Sequence, residues 1–162
     1  MSTSTSALQQ KNAKHLIQSF SDLSYINNPQ ETHIISRADG VYIYDNDGKK
    51  ILDSMSGLWC VNMGYGQQSI IKAVNEQMKE LVYYNNFFGS SHPSAIKLSE
   101  MIADITPKGM NKVYFCGSGS EANDTVVRLT RHYWAARGKP SKSVIISRTN
   151  AYHGSTMAGA SL

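Results

Sequence analysis

A short apolar segment that ends in alternating glycine and serine and leads directly into a helical pattern is the most constraining feature of this sequence. Residues 113–116 read Val-Tyr-Phe-Cys, and residues 117–120 read Gly-Ser-Gly-Ser. At a helix start the first backbone N–H groups have no partner within the helix, and the helix dipole places partial positive charge there. Small residues also let an anion approach the backbone closely. The strand–turn–helix order therefore predicts a binding site for a phosphate group.

The same residues also fit a capping box. In that interpretation Ser118 caps the helix, and Glu121, three residues later, reaches back towards it. A capping box is compatible with anion binding at the same helix start. The pattern alone therefore does not decide between a purely structural role and a phosphate-binding role.

The rest of the chain predicts a mixed α/β order of elements. An amphipathic helix carrying Leu16, Ile17 and Phe20 precedes an antiparallel meander of three short strands, whose Asp-Gly pairs suit tight hairpin turns. The predicted strands are 33–37, 41–44, 50–53, 112–116 and 143–147, with a helix from about 120 to 136 between the last two. Because a strand–helix–strand unit needs neighbours to bury its faces, the sequence indicates the N-terminal part of a longer protein.

Composition argues against several other classes of protein. No apolar run approaches the roughly 20 residues of a membrane span, and the first ten residues are polar, so we expect a cytoplasmic protein. The two cysteines and five histidines show no metal-ligand spacing, so no metal site is expected. The net charge is +4, and no Asp or Glu follows Asp124. The lysine and arginine residues that follow Asp124 do not form a stripe with interleaved aromatic residues, so nucleic-acid binding is not expected.

A dinucleotide-binding fingerprint is one alternative for the glycine run. Gly117, Gly119 and Ala122 fit the G-x-G-x-x-G/A pattern after a strand and before a helix. That pattern requires an acidic residue about 20 positions later to hold the ribose, and this chain has none from Thr125 onward. An NAD(P)-linked reductase therefore stays an alternative with a weak match.

Pyridoxal phosphate is the second candidate ligand. It needs a phosphate site, an aromatic side chain for its planar ring and a lysine for a covalent link. Tyr152 follows the predicted strand 143–147, and parallel strands bring their C-terminal ends to the same edge of a sheet. We therefore expect Tyr152 to lie at the same crevice as residues 118–120.

Several linked motifs resemble the class III aminotransferases, a fold-type I family that depends on pyridoxal phosphate. The stretches that carry the resemblance are Gly117–Asp124, His132–Trp134 and Asn150–Ser155, and the loop Gly57–Gly66 is similar to the substrate-side loop of that family. The similarity extends from about residue 26 to residue 162. It is strongest to the branch that moves amino groups from ω-amino acids, putrescine or other terminal amines to pyruvate.

This resemblance implies a fold and a division into domains. Residues 1–66 would form the N-terminal helix, the meander and the substrate-side loop of a small domain. Residues 67–162 would begin the cofactor-binding large domain, with its sheet and flanking helices. The resemblance further implies a homodimer with active sites at the subunit interface.

The resemblance also implies roles for particular residues. Gly119 and Ser120 would bind the cofactor phosphate, with Ser118 close by, while Tyr152 would stack on the pyridine ring and His153 would support that loop. The substrate pocket would be lined by Leu58, Trp59, Phe87 and Phe88, the two phenylalanines reaching a pocket shared with the second subunit. For most of these side chains, ordinary packing is a competing interpretation.

The implied reaction is a two-stage exchange between an amine donor and a keto acid acceptor. The family's Schiff-base lysine lies past residue 162, so the resemblance assigns no catalytic residue within the chain. We therefore predict that residues 1–162 do not catalyse transamination alone. A non-catalytic aminotransferase-like protein remains an alternative.

Overall fold

The computed structural model describes residues 3–162 of the chain. Its Cα positions divide into two compact units, one ending at Tyr84 and the other running from Asn85 to Leu162. The domain boundary expected after residue 66 stays a prediction. Each unit is described separately.

The first unit begins with helix α1, Thr5–His15, which Ser4 caps by accepting a hydrogen bond from the Ala7 N–H at 3.3 Å. Two short 3₁₀ helices follow, Leu23–Ile26 and Pro29–Glu31. The predicted extension of α1 through Phe20 is wrong. Leu16 is already extended and Phe20 has a positive φ of 53°, so the helical hydrogen-bond pattern cannot continue.

The predicted meander is confirmed as a three-stranded antiparallel sheet. Its strands are β1, Ile35–Asp39, β2, Tyr42–Asp45, and β3, Lys50–Leu52, in the order β1-β2-β3. Gly40 and Gly48 occupy the turns with φ of 57° and 89°, a conformation that glycine adopts without a steric penalty.

Cation–π contacts between neighbouring strands stabilise the sheet. The guanidinium of Arg37 lies 3.6 Å from the centre of the Tyr44 ring, its partner in the register, and the Lys50 amine lies 3.8 Å from the Tyr42 ring. Helix α1 contacts the β2–β3 turn, where Thr5 Oγ1 donates to Asp47 at 2.5 Å. The meander and α1 therefore share polar contacts that are distant in sequence.

After β3, the first unit continues through a kinked helical turn, α2, Ser56–Trp59, and a regular helix, α3, Gln68–Glu80. Residues Gly57 and Leu58 inside α2 have non-helical backbone angles, so α2 is a strained turn and not a true helix.

The second unit contains helices α4, Pro93–Ile105, and α5, Gly119–Ala136. His92 Nδ1 accepts from the Ala95 N–H at 3.4 Å, and Pro93 occupies the first turn of α4, where its missing N–H has no cost. The bounds of α5 agree with the prediction. Gly138 follows its end with a φ of 70°, as expected for a helix stop.

The predicted strands 112–116 and 143–147 are wrong as secondary structure. Neither segment has a strand partner among residues 3–162, and a ladder is what makes an extended segment a strand. The second segment is also not buried as expected, since Val144 and Ile146 are 83% and 93% exposed. An apolar run predicts an extended segment but does not identify its neighbours.

The described residues form little apolar core. None of their large side chains is fully buried, and Thr32, Gly154 and Gly159 are among the few buried residues. Many leucine, isoleucine and aromatic side chains lie exposed on the helices and loops. Within residues 3–162, these apolar side chains therefore have no large apolar core to pack into.

Candidate cofactor site

The start of α5 leaves backbone donors available for an anion. Ser118 Oγ accepts from the Glu121 N–H at 3.2 Å, and the Ser118 carbonyl accepts from the Ala122 N–H at 3.0 Å. The N–H groups of Gly119 and Ser120 belong to the first turn, where no carbonyl within the helix can reach them. These two donors point out of the positive end of the helix dipole.

The capping interaction predicted for Glu121 is present but reaches one residue further back. Its Oε2 accepts from the Gly117 N–H at 2.6 Å, so the carboxylate and Ser118 together close the turn before α5. The capping box and the phosphate-binding interpretation are therefore compatible in the structure as well.

The segment 153–159 packs directly on the start of α5. The Ser155 N–H donates to Ser120 Oγ at 3.0 Å, and Asn123 Nδ2 donates to the His153 carbonyl. These contacts join residues 30 to 35 positions apart in sequence. Loop contacts, and not paired strands, thus bring His153 beside Asn123 and Ser155 beside Ser120, while the expected position of Tyr152 at the same crevice stays a prediction.

Gly154 makes this close approach possible. A Cβ at this position would lie 2.8 Å from Ser120 Oγ and 2.9 Å from Ser120 Cα. Its φ of 133° is also one that other residues rarely adopt. The backbone of the 153–159 segment therefore contacts Ser120 with no room for a side chain between them.

Asp124 holds the far end of the same segment. Its Oδ1 accepts from Thr156 Oγ1 at 2.7 Å and from the Gly159 N–H at 2.9 Å. The Thr156 hydroxyl bond, followed by the Gly159 amide bond, lowers the pKa of Asp124 below its ordinary value, so the carboxylate is charged at neutral pH.

Sequence reasoning missed Asn123, Asp124, Thr156 and Gly159 as members of this arrangement. One signal could have revealed the first two. Residues three and four positions apart lie on one helix face, so Ser120, Asn123 and Asp124 present three polar groups on the same side of α5. Their partners on the 153–159 segment are too distant in sequence for any local pattern to show.

The residues present fit a phosphate group. Since the Ser155 N–H uses Ser120 Oγ as acceptor, the Ser120 hydroxyl proton is left to donate elsewhere. His153 Nε2 is buried without a hydrogen-bond partner among residues 3–162, a polar atom that a ligand could satisfy. Tyr152 is 70% exposed, and its stacking on the pyridine ring stays a prediction.

The residues predicted to line the substrate pocket divide between the two units. Leu58 and Trp59 belong to the first unit and are 69% and 78% exposed. Phe87 and Phe88 belong to the second unit, with ring centres 6.0 Å apart and Phe88 fully exposed. All four therefore project from their own unit instead of packing within it.

An aspartate organises residues 54–66, which include the predicted substrate-side loop, residues 57–66. Asp53 Oδ2 accepts from the Tyr65 hydroxyl and from the Gly57 N–H, both at 2.7 Å. The Tyr65 hydrogen bond, followed by the Gly57 bond, lowers the pKa of Asp53, and the bond to Asp53 raises the pKa of Tyr65. At neutral pH this is a bond from a neutral phenol to a charged carboxylate.

The described residues form neither a metal-binding cluster nor a membrane-spanning helix. Across residues 3–162, no group of three or more His, Cys, Asp or Glu side chains is placed to hold a metal ion. In the same described range, no helix combines the length and apolar character that crossing a membrane requires.

Comparison with known proteins identifies the class. Residues 25–162 match the family model for class III aminotransferases, and the chain belongs to that family. The members of this family are pyridoxal-phosphate dependent. This membership selects the aminotransferase interpretation over the NAD(P)-linked reductase.

Individual relatives agree with this assignment. The chain is 54% identical over 148 residues to putrescine–pyruvate aminotransferase of Pseudomonas aeruginosa, covering 91% of this chain and 32% of that protein. It is 44% identical over 130 residues to the mitochondrial gamma-aminobutyrate transaminase 1 of Oryza sativa subsp. japonica, covering 80% of this chain and 25% of that one. The chain thus spans a third or less of the length of these relatives.

Solved structures confirm the fold class. The omega transaminase from Pseudomonas jessenii in complex with PMP superposes with a TM-score of 0.90 at 39% identity, over 95% of this chain and 34% of that one. An (S)-enantioselective omega transaminase from Thermomicrobium roseum gives a TM-score of 0.92 at 31% identity, over 99% and 36%. The chain therefore has the α/β fold of the N-terminal segment of a transaminase.

Proposed function

We propose that this chain is the front part of a pyridoxal-phosphate-dependent aminotransferase that acts in the cytoplasm as a homodimer. Its amine donor would be an ω-amino acid or terminal amine such as putrescine or β-alanine, and its acceptor would be pyruvate. The 54% identity to a putrescine–pyruvate aminotransferase supports this choice of substrates. The observation that carries the proposal is the start of α5, where the Gly119 and Ser120 N–H groups have no partner within the helix and the Ser120 hydroxyl lies in the same turn.

Each residue of the site has a defined task in this proposal. The Gly119 and Ser120 N–H groups and the Ser120 hydroxyl hold the phosphate, while the 153–159 segment holds Ser120 in place. Tyr152 offers its ring face, and His153 Nε2 offers a buried polar atom. When bound, the cofactor supplies an electron sink for the carbanion formed at the substrate carbon.

The substrate side is formed by apolar and aromatic groups. Leu58 and Trp59 would contact the methylene chain of the donor, because aromatic and aliphatic walls bind an unbranched chain without requiring further charges. Phe87 and Phe88 would close the pocket together with the second subunit. Exposure of all four side chains in their own unit supports this arrangement.

The test uses the intact natural protein with pyridoxal phosphate. Putrescine, β-alanine and 4-aminobutyrate are each supplied with pyruvate or with 2-oxoglutarate, and alanine and glutamate are measured. Alanine formation from a terminal amine is the expected result. Glutamate without alanine would contradict the acceptor, and an intact protein that forms neither product would support the non-catalytic alternative.

The predicted inactivity of the segment has its own test. Residues 1–162 alone are assayed with the same donors and pyruvate beside the intact protein. No turnover is expected, because no lysine in this segment follows a family-like motif for the covalent link. Measurable turnover by the segment would refute that prediction.

A further inference from the structure

We propose that Asp53 is a positioning residue that fixes the substrate-side loop and so sets the preference of the enzyme among amine donors. This inference rests on the proposed function for its substrate, but not for its structural part. Asp53 directly follows β3, at the point where the regular sheet ends and the loop begins. It is therefore anchored by the sheet on one side and free to bind the loop on the other.

The carboxylate of Asp53 joins the two ends of this loop. On the near side it accepts from the Gly57 N–H at 2.7 Å and from the Met55 N–H at 3.2 Å. On the far side it accepts from the Tyr65 hydroxyl at 2.7 Å. Leu58 and Trp59 lie between these contacts, so one side chain closes the loop that carries them.

The loop has a backbone that needs such support. Ser56, Gly57 and Trp59 all have positive φ, of 49°, 73° and 61°. For residues other than glycine this conformation is unfavourable and persists where surrounding contacts impose it. The Asp53 bonds to Met55 and Gly57 hold the chain on both sides of Ser56, at the start of the strained stretch.

Tyr65 connects the loop to the meander. Its backbone N–H donates to the Gly40 carbonyl at 2.7 Å, and its carbonyl accepts from the Gly40 N–H at 3.2 Å. A Cβ at Gly64 would lie only 2.8 Å from the Gly40 carbonyl oxygen, so the two chains are in close contact. Because the Tyr65 backbone is bonded to Gly40 and the Tyr65 hydroxyl is bonded to Asp53, the position of the Asp53 carboxylate depends on the β1–β2 turn.

Packing against other described residues does not fix the direction of the Leu58 and Trp59 side chains. Leu58 and Trp59 remain largely exposed, and Trp59 has its backbone N–H bound to the Met55 carbonyl at 2.9 Å. The direction of both side chains therefore follows from the backbone, which the Asp53 network holds. A change in that network would rotate the pocket wall without removing any group that contacts the substrate.

The experiment compares Asp53→Asn and Tyr65→Phe in the intact natural protein. The Asp53→Asn change keeps the size of the side chain but places an uncharged amide against the Gly57 N–H, whereas Tyr65→Phe leaves the carboxylate in place and removes one donor. Asp45→Asn is the matched control, because Asp45 also accepts backbone N–H bonds, from Asp47 and Lys49, but at the β2–β3 turn. Thermal melting of each variant records its stability.

The first readout is the ¹⁹F resonance of Trp59 in protein labelled with 5-fluorotryptophan, assigned by its loss in Trp59→Phe. We expect this resonance to move or broaden in both network variants and to stay unchanged in Asp45→Asn. An unmoved resonance in Tyr65→Phe and Asp53→Asn would overturn the proposal. If Asp53→Asn does not fold, Tyr65→Phe alone decides the result.

The second readout is the ratio of kcat/KM for putrescine to that for 1-phenylethylamine. We expect about a tenfold change in this ratio in the network variants, mainly through KM, since misplacing a pocket wall affects substrates of different shape unequally. A moved resonance with an unchanged ratio would overturn the assignment of Asp53 to specificity. If the wild-type protein has no aminotransferase activity, the proposed function fails, while the ¹⁹F readout still tests the positioning role.

Discussion

Replacing Gly154 by alanine should weaken cofactor binding strongly, and the structure gives the magnitude. The new Cβ would lie 2.8 Å from Ser120 Oγ and 2.9 Å from Ser120 Cα, and backbone atoms cannot give way as a flexible side chain can. A residue other than glycine at a φ of 133° adds backbone strain. Strain of about 1–3 kcal/mol and overpacking of about 1–3 kcal/mol together give roughly 2–6 kcal/mol.

This strain is expected to appear in the affinity for pyridoxal phosphate. In the Gly154→Ala variant without cofactor, the 153–159 segment can relax away from Ser120, and this relaxation breaks the bond between the Ser155 N–H and Ser120 Oγ. Binding would then have to restore the contact. The lower bound of about 2 kcal/mol corresponds to roughly a 30-fold higher dissociation constant.

The assay is a titration of the cofactor-free intact protein with pyridoxal phosphate, followed by absorbance. Gly138→Ala is the matched control, because Gly138 also has a positive φ, of 70°, but a Cβ there would meet nothing within 4 Å. Its affinity should equal that of the wild type even if its melting temperature falls. Equal affinities for Gly154→Ala and the wild type would refute the inferred contact between this segment and the phosphate site.

Two further predictions concern the same site. Ser120→Ala should raise the dissociation constant for pyridoxal phosphate about tenfold, because it removes both a donor to the phosphate and the acceptor of the Ser155 N–H. Ser99→Ala on α4 is the control and should leave the dissociation constant unchanged. Equal losses of affinity in both variants would argue against a local role of Ser120. Asp124 should make the contact of α5 with Gly159 sensitive to acid. Because its pKa is lowered below 3.8 by the bonds it accepts, its contribution is complete above that value and is lost as the pH falls through the lower folded-state pKa. The protection of the Gly159 amide against hydrogen exchange, expressed relative to the intrinsic rate at each pH, should fall over that acidic range, and an identical pH dependence in Asp124→Asn would contradict the assignment.

The meander and the start of α5 could be predicted because their determinants are local. The turns at Gly40 and Gly48 follow from Asp-Gly pairs that lie next to each other in sequence, and Ser118 lies three residues from the amide that it caps. The predicted phosphate-binding turn is likewise a property of consecutive residues. Local patterns of this kind predict the same turn or cap whatever the rest of the chain does.

The strands at 112–116 and 143–147 could not be predicted in the same way. An apolar run shows that a segment is suited to burial, but a strand also needs a neighbour to hydrogen-bond, and the sequence does not say which segment that is. The contacts of Asp124 with residues 156–159 were missed for a related reason. They join groups more than 30 positions apart, and no spacing rule covers that range.

The loop after Asp53 is an intermediate case. Its similarity to the substrate-side loop of the class III aminotransferases was visible in the sequence, and Trp59 was singled out on that basis. The role of Asp53 was not visible, because its partner Tyr65 lies 12 residues away across a loop whose path only the structure shows. Trp59, a side chain predicted to contact substrate, was thus easier to recognise than Asp53, the residue proposed to position it.

The groups at the start of α5 have a consequence for how an anion is recognised there. Residues 117–124 and 150–159 contain no lysine or arginine, so the donors they contribute are backbone amides, hydroxyls, the Asn123 amide and the ring of His153. Such donors attract an anion at contact distance and within about one helical turn, without a long-range field. We therefore predict that these residues discriminate by the tetrahedral shape and oxygen spacing of the anion more than by its net charge, and that a sulfonate of matching geometry competes for their donors.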